Sequence, residues 1–279
     1  MKFPIFHGFI APDSGAAKPL NAMNTAFSLA AALDAQLSVA IGALQISVRT
    51  ILSSNMVEGL ISDENKRSAA SATAAREQIT ELARKSGLIV HTEILKGDLG
   101  SIKRRCANRA RVHGLVFAEA GIPGELLGGS LIEPLIFESG RPVIVVPNGF
   151  SAAISLDHIL VAWDGSAAAS RAVWDSLPLL RLAKSIEIVT VTGEKELNEV
   201  PAANALAGML TYLGRKVGVT ALPLGRSSAA GLIKEHAARA GAGLVVQGAY
   251  GRSRWSELVL GGVTRDMLHG CTIPVLLSH

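Results

Sequence analysis

Residues 231–251 read GLIKEHAARAGAGLVVQGAYG. The stretch reads as a helix, a short glycine-containing turn and a buried strand at Leu244–Val246. The first half of the chain holds a counterpart, GSIKRRCANRARVHGLVFAEAG, from Gly100 to Gly121, with its strand at Leu115–Phe117. Each copy runs on to a double glycine, Gly128–Gly129 or Gly261–Gly262. Each then closes in an apolar run led by proline, at Pro142–Pro147 and Pro274–Ser278. Self-similarity at this distance marks an internal repeat, which must be settled before anything else is read.

The openings of the two halves agree as well. Ile5 to Asp13 and Ile159 to Asp164 are apolar runs that end in an aspartate beside glycine and serine. In the second half, Ala172, Val173, Leu177, Leu180 and Ala183 then recur at helical spacing. An apolar strand at Ile186–Val191, a helix near 201–213 and a strand at Val217–Leu222 complete the unit. Each half therefore reads β-α-β-α-β-α-β-α-β. Strands alternating with helices predict a parallel sheet covered on both faces. The strands are unbroken apolar runs, as burial on both faces requires. The halves meet near NGFSAAIS (148–155), so we expect domains at 1–149 and 155–279. The first is longer by 22 residues, assigned to the region 45–75.

Composition narrows the function. The 279 residues are 49% hydrophobic and 18% charged, enough to fill two cores and too apolar for a disordered chain. The net charge of +4 divides evenly, so neither half is an arm for nucleic acid or a membrane surface. Two cysteines without a CxxC argue against a disulfide scaffold or a thiolate zinc site and fit a reducing cytoplasm. The N-terminal MKFPIFHGFI is broken by Pro4, His7 and Gly8 and reads as a first strand, not a signal peptide. The most apolar stretch, Phe27–Leu44, is interrupted by Asp34 and Gln36, so no membrane span is expected.

The chemistry concentrates in Gly248-Ala-Tyr-Gly251, a nine-residue spacer, and Gly261-Gly262-Val263-Thr264. Glycines at a strand end permit close backbone approach to a ligand. Exposed amides at the start of the next helix, near Val263–Leu268, favour an anion. Ligands in open α/β sheets sit at strand carboxyl ends where the strand order reverses. If the first and fourth strands flank that point, Asp164 and Gly248 face one crevice. The same glycines could simply make turns.

On these residues the sequence resembles the universal stress protein family in its tandem form. The family pattern is Gly-x2-Gly-x9-Gly-(Ser/Thr) between the fourth strand and fourth helix, with an Asp closing the first strand. Gly248, Gly251 and Gly261 stand at the required gaps, and Asp164 fits the aspartate. The resemblance is strong over 155–279 and weaker over the first half. It implies two Rossmann-like domains of the adenine nucleotide alpha hydrolase-like type, each an open five-stranded parallel sheet. It also implies binding of ATP, or of AMP or ADP, with or without Mg2+. Asp164 would lie against the nucleoside and Val191 would offer backbone atoms to the adenine. Gly248 and Gly251, preceded by Gln247, would bracket ribose and phosphates. Gly261, Gly262, Val263 and Thr264 would hold phosphates through amides and a hydroxyl. The family dimerises through its last strand; here Val143–Val146 and Val275–Leu277 could pair within one chain, as a pseudo-dimer, and two chains could associate further.

Two departures matter. Gly262 stands where the family has Ser or Thr, and a lost hydrogen bond to a charged group costs about 1.5–3 kcal/mol, roughly 10- to 150-fold in affinity. Arg252 and Arg254 could restore charge there. In the first half the spacer shrinks to Glu125–Leu127, and Glu119 stands about where Gly248 should be, so this half reads as degenerate and without nucleotide. No Walker A, GxGxxG, HExxH or GxSxG pattern occurs, so the nucleotide reading rests on no hydrolase or dehydrogenase motif. Asp164 is the one carboxylate expected to face the crevice, which leaves at most slow ATP hydrolysis. Three readings stay open: a cytoplasmic nucleotide-binding stress sensor, a nucleotide-free regulatory module on the same fold, and an enzyme of the wider adenine nucleotide alpha hydrolase-like group, such as a nucleotidyl transferase, whose catalytic set the sequence does not reveal. Scattered histidines read as surface or packing residues, the arginines from Arg104 to Arg111 as a solvated helix face, and Trp163 and Trp174 as core.

Overall fold

The computed structural model describes residues 6–10, 20–47, 55–121, 128–193, 203–249 and 262–279. The chain divides into two compact units, Met1–Ser139 and Gly140–His279.

In the first unit the elements run β1 (Phe6–Ile10), α1 (Asn21–Ala32), β2 (Leu37–Leu44), α2 (Asn55–Ser86), β3 (Val90–Gly97), α3 (Leu99–Ala110), β4 (Leu115–Glu119) and α4, whose range is Gly128–Glu138. The strands lie in the order β3-β2-β1-β4, and the pairings of β1 with β2 and β4, and of β2 with β3, are parallel. Phe6 and Phe117 pack ring to ring at 5.6 Å between centroids, and Leu37, Ile41 and Met23 are fully buried in the same unit. The extra length of this half is α2, a helix of 32 residues. Its opening turns leave Met56 and Leu60 exposed.

The second unit runs β5 (Val143–Val146), β6 (His158–Ala162), α5 (Ala167–Leu180), β7 (Ser185–Thr192), α6 (Ala203–Thr211), β8 (Lys216–Pro223), α7 (Ala229–Arg239), β9 (Leu244–Gly248), α8 (Gly262–Leu268) and β10 (Val275–Ser278). Its strand order is β5-β10-β9-β6-β7-β8, parallel from β10 to β8. Every expected element is present in the expected order. The fold is α/β with a mostly parallel sheet and flanking helices.

β5, the closing run of the first repeat, forms an antiparallel ladder with β10 that sets Val275 opposite Val145, and the compact division counts it with the second unit. Trp174 departs from expectation: it is 57% exposed on the outer side of α5, while Trp163 is buried. Its helical neighbours Ala172 and Val173 take the core-facing positions, and Trp174 falls on the opposite stripe.

Candidate functional site

The two parallel neighbours of β6 fix the centre of the second unit. From β6 the chain crosses outward to β7, while β9 lies on its other side. The strand order therefore reverses between β6 and β9, the place where α/β sheets open a crevice at the strand carboxyl ends. Ala162 pairs with Gln247 in register, so Asp164 and Gly248, just beyond, reach the same end of the sheet.

Asp164 sits in the sharp turn that joins β6 to α5. Gly165 adopts φ +75°, a left-handed conformation that suits glycine. The Asp164 carboxylate accepts a hydrogen bond from the Ser166 amide at 2.9 Å. Ser166 caps α5, its hydroxyl accepting from the Ala169 amide at 3.1 Å. Asp164 is exposed, with its second carboxylate oxygen available beyond this turn.

Gly248 has a packing reason to be glycine. A Cβ there would stand 2.4 Å from the Ala169 backbone nitrogen and 2.6 Å from the Ala168 carbonyl carbon. The start of α5 lies directly on the end of β9, and no side chain fits between them. Gly262, by contrast, has open space where a Cβ would stand, so a serine would fit there.

The sheet register assigns the remaining residues to faces. Gly248 faces α5, so Gln247 faces the other way, as do its register partner Ala162 and, one strand further, Val189. Val191 shares this face two residues on and is half-buried. Gln247 is 6% exposed, and its side-chain oxygen is buried with no hydrogen-bond partner among the described residues. Val263 is exposed at the start of α8, whereas Thr264 is buried. Gly251 and Gly261, with Tyr250, Arg252 and Arg254, lie outside the described residues. The structure thus brings Asp164, Val191, Gln247 and Gly248 to one end of one sheet.

Linear reading missed a polar cluster on the Gln247 face. Glu187 of β7 meets His236 of α7 at 2.9 Å and His158 of β6 at 3.3 Å, one imidazole on each carboxylate oxygen. The Thr220 hydroxyl of β8 donates to the same carboxylate, and Ser185 meets the other ring nitrogen of His158 at 2.9 Å. Burial pushes the Glu187 carboxyl up, but the hydrogen bonds from Thr220, His236 and His158 and the charge of His236 outweigh it. The group is held below its ordinary value. No spacing along the chain betrays the cluster; the parallel register and α7 assemble it. Among the described residues, no three His, Cys, Asp or Glu side chains gather in a way that could hold a metal ion.

In the first unit Glu119 closes β4 at the position where Gly248 closes β9. Its carboxylate accepts a hydrogen bond from the Asn21 amide at 3.2 Å, at the start of α1. The arginines of α3 are partly absorbed: Arg105 and Arg109 both reach Glu93, and Arg111 donates to the Glu138 carbonyl. His7 and His113 stack at 4.5 Å in the core, and neither ring nitrogen of His7 has a hydrogen-bond partner among the described residues. No helix among the described residues is long and apolar enough to cross a membrane.

A doubly wound α/β unit with an aspartate and a glycine at its switch point defines the class. Residues 155–279 match the model of the universal stress protein family. Solved structures extend the likeness of fold. A universal stress protein from Archaeoglobus fulgidus DSM 4304 superimposes with a TM-score of 0.68 at 13% identity, over 97% of each chain. A functionally unknown protein from Pseudomonas aeruginosa PAO1 gives 0.60 at 16% identity, over 98% of this chain and 92% of its own. Comparison with curated proteins found no match.

Proposed function

We propose that the second unit binds ATP or a related adenine nucleotide, AMP or ADP, and that the chain works as a cytoplasmic stress sensor or regulator. One observation carries this reading: Asp164 and Gly248 lie beside each other at the carboxyl ends of adjacent parallel strands, where the strand order reverses. The family match over the same residues supports it. In this reading Asp164, Val191, Gln247 and Gly248 form the nucleoside side, and Gly251, Gly261, Gly262, Val263 and Thr264 the phosphate side. Mg2+ would arrive on the phosphates. The first unit takes no nucleotide, because Glu119 puts a carboxylate at the strand end where β9 carries Gly248. The β5–β10 ladder supports pairing of the two closing strands within one chain; a further homodimer would be read from the solution mass.

Isothermal titration with ATP, repeated on Asp164→Ala, tests the proposal. Saturable binding that weakens in the variant is expected. No binding up to several millimolar would end it.

A second reading, a nucleotide-free regulatory module, is favoured by Gly248 itself. The close approach of α5 accounts for that glycine without any ligand. Chromatography of small molecules released from denatured, freshly purified protein separates the two.

A further inference from the structure

We infer that the buried side-chain oxygen of Gln247 is a specificity element of the nucleotide site, taking a hydrogen bond from an N–H or O–H group on the nucleoside end of the ligand. This rests on the nucleotide reading above. Gln247 occupies the fourth position of a five-residue strand whose first three residues are Leu244, Val245 and Val246. The equivalent position of β4 is Ala118, a small apolar residue. Gln247 is 6% exposed, and its amide oxygen has no partner among the described residues. Packing alone calls for an apolar side chain here. A buried acceptor left unpaired destabilises the protein, and buried polar atoms in native proteins are overwhelmingly paired.

The placement says what would complete it. Gln247 lies one residue before the strand end at the switch point, on the face it shares with Ala162 and Val191. A ligand entering at the carboxyl ends of β6 and β9 comes up to this end of the strand. An acceptor oxygen needs a donor, and ionised phosphate oxygens only accept. Gln247 therefore favours the nucleoside over the phosphates. The matching donors on a nucleoside are the ribose hydroxyls and the exocyclic amine of the base.

Calorimetric titration of the full chain with ATP, 2′-deoxy-ATP, 3′-deoxy-ATP, ITP and tripolyphosphate tests this. Each nucleotide analogue lacks one candidate donor, and tripolyphosphate lacks them all. In the wild type, one analogue should bind about 5- to 150-fold more weakly than ATP. Gln247→Met, close in shape but without the acceptor, should lose the same factor towards ATP and none towards tripolyphosphate. It should no longer distinguish ATP from that analogue. The ligand-free variant should also melt higher than wild type, since the unpaired oxygen is gone. The analogue series on wild type alone decides the matter if the variant fails to fold. Saturable ATP binding that is equal for every analogue, or unchanged in Gln247→Met, overturns the role of Gln247 and leaves the nucleotide reading standing. Failure of the wild type to bind ATP at several millimolar overturns both.

Discussion

Gly248 and Ala169 stand so close that a methyl group on the glycine would lie 2.4 Å from the Ala169 backbone nitrogen. The contact ties the end of a central strand to the start of the helix that follows its neighbour, and so holds the Asp164 turn against β9. Gly248→Ala should destabilise the second unit by about 1–3 kcal/mol, the usual cost of forcing an extra carbon into packed backbone. Gly262→Ser, placed in open space, should leave stability within about 0.5 kcal/mol of wild type. Urea unfolding of the two variants side by side checks the contrast. If the serine variant also binds ATP more tightly, the hydroxyl has joined the phosphate side of the site.

Asp164 offers a separation of shape from charge. Its carboxylate accepts from the Ser166 amide, and an asparagine oxygen can accept in the same place. Asp164→Asn should keep the turn, while Asp164→Ala should cost about 0.5–1.5 kcal/mol. Chemical denaturation measures this. A stability loss in the alanine variant alone assigns the turn to the hydrogen bond and leaves any ligand effect of the asparagine variant to the missing charge.

Glu187 predicts an acid sensitivity of the second unit. Its carboxyl is held below the ordinary value of 4.5 by Thr220, His236 and His158 against the upward push of burial. A depressed carboxyl stabilises the fold above its unfolded value and loses that contribution as pH falls through the folded value. Wild type should therefore be more stable than Glu187→Gln near neutrality, and the gap should narrow on acidification below about pH 4.5. Denaturant midpoints of both proteins between pH 3 and 7 test the convergence.

His7 gives the first unit a second pH dependence. Burial, with the nearby charges of His113 and Arg109, lowers its pKa from 6.5 to about 3. The unfolded chain then binds a proton that the folded chain refuses. Stability falls as pH drops from about 6.5 towards 3, by roughly 3–5 kcal/mol across the whole window. His7→Leu should flatten that slope in a pH series of unfolding curves. A slope as steep as wild type would mean that another group sets it.

Much of this architecture was written in the residues. The doubled helix–turn–strand segments, the unbroken apolar strands and the paired closing runs reveal, in order, the ten strands and eight helices found among the described residues. What stayed hidden depends on partners distant in the chain. Trp174 turned outward because alanines and Val173 fill the inner stripe of α5. The position of Gly248 was plain, but the approach of α5 shows only in three dimensions. The four residues around Glu187 come from three strands and a helix, and no motif joins them.

That cluster constrains how the sequence can drift. One carboxylate serves His158, His236 and Thr220 at once. Losing any one donor leaves Glu187 two others, whereas losing Glu187 takes the carboxylate from all three and leaves His158 only its contact with Ser185. Change at these positions should run one way in descendants of this chain, with the donors eroding first and the acidic hub last.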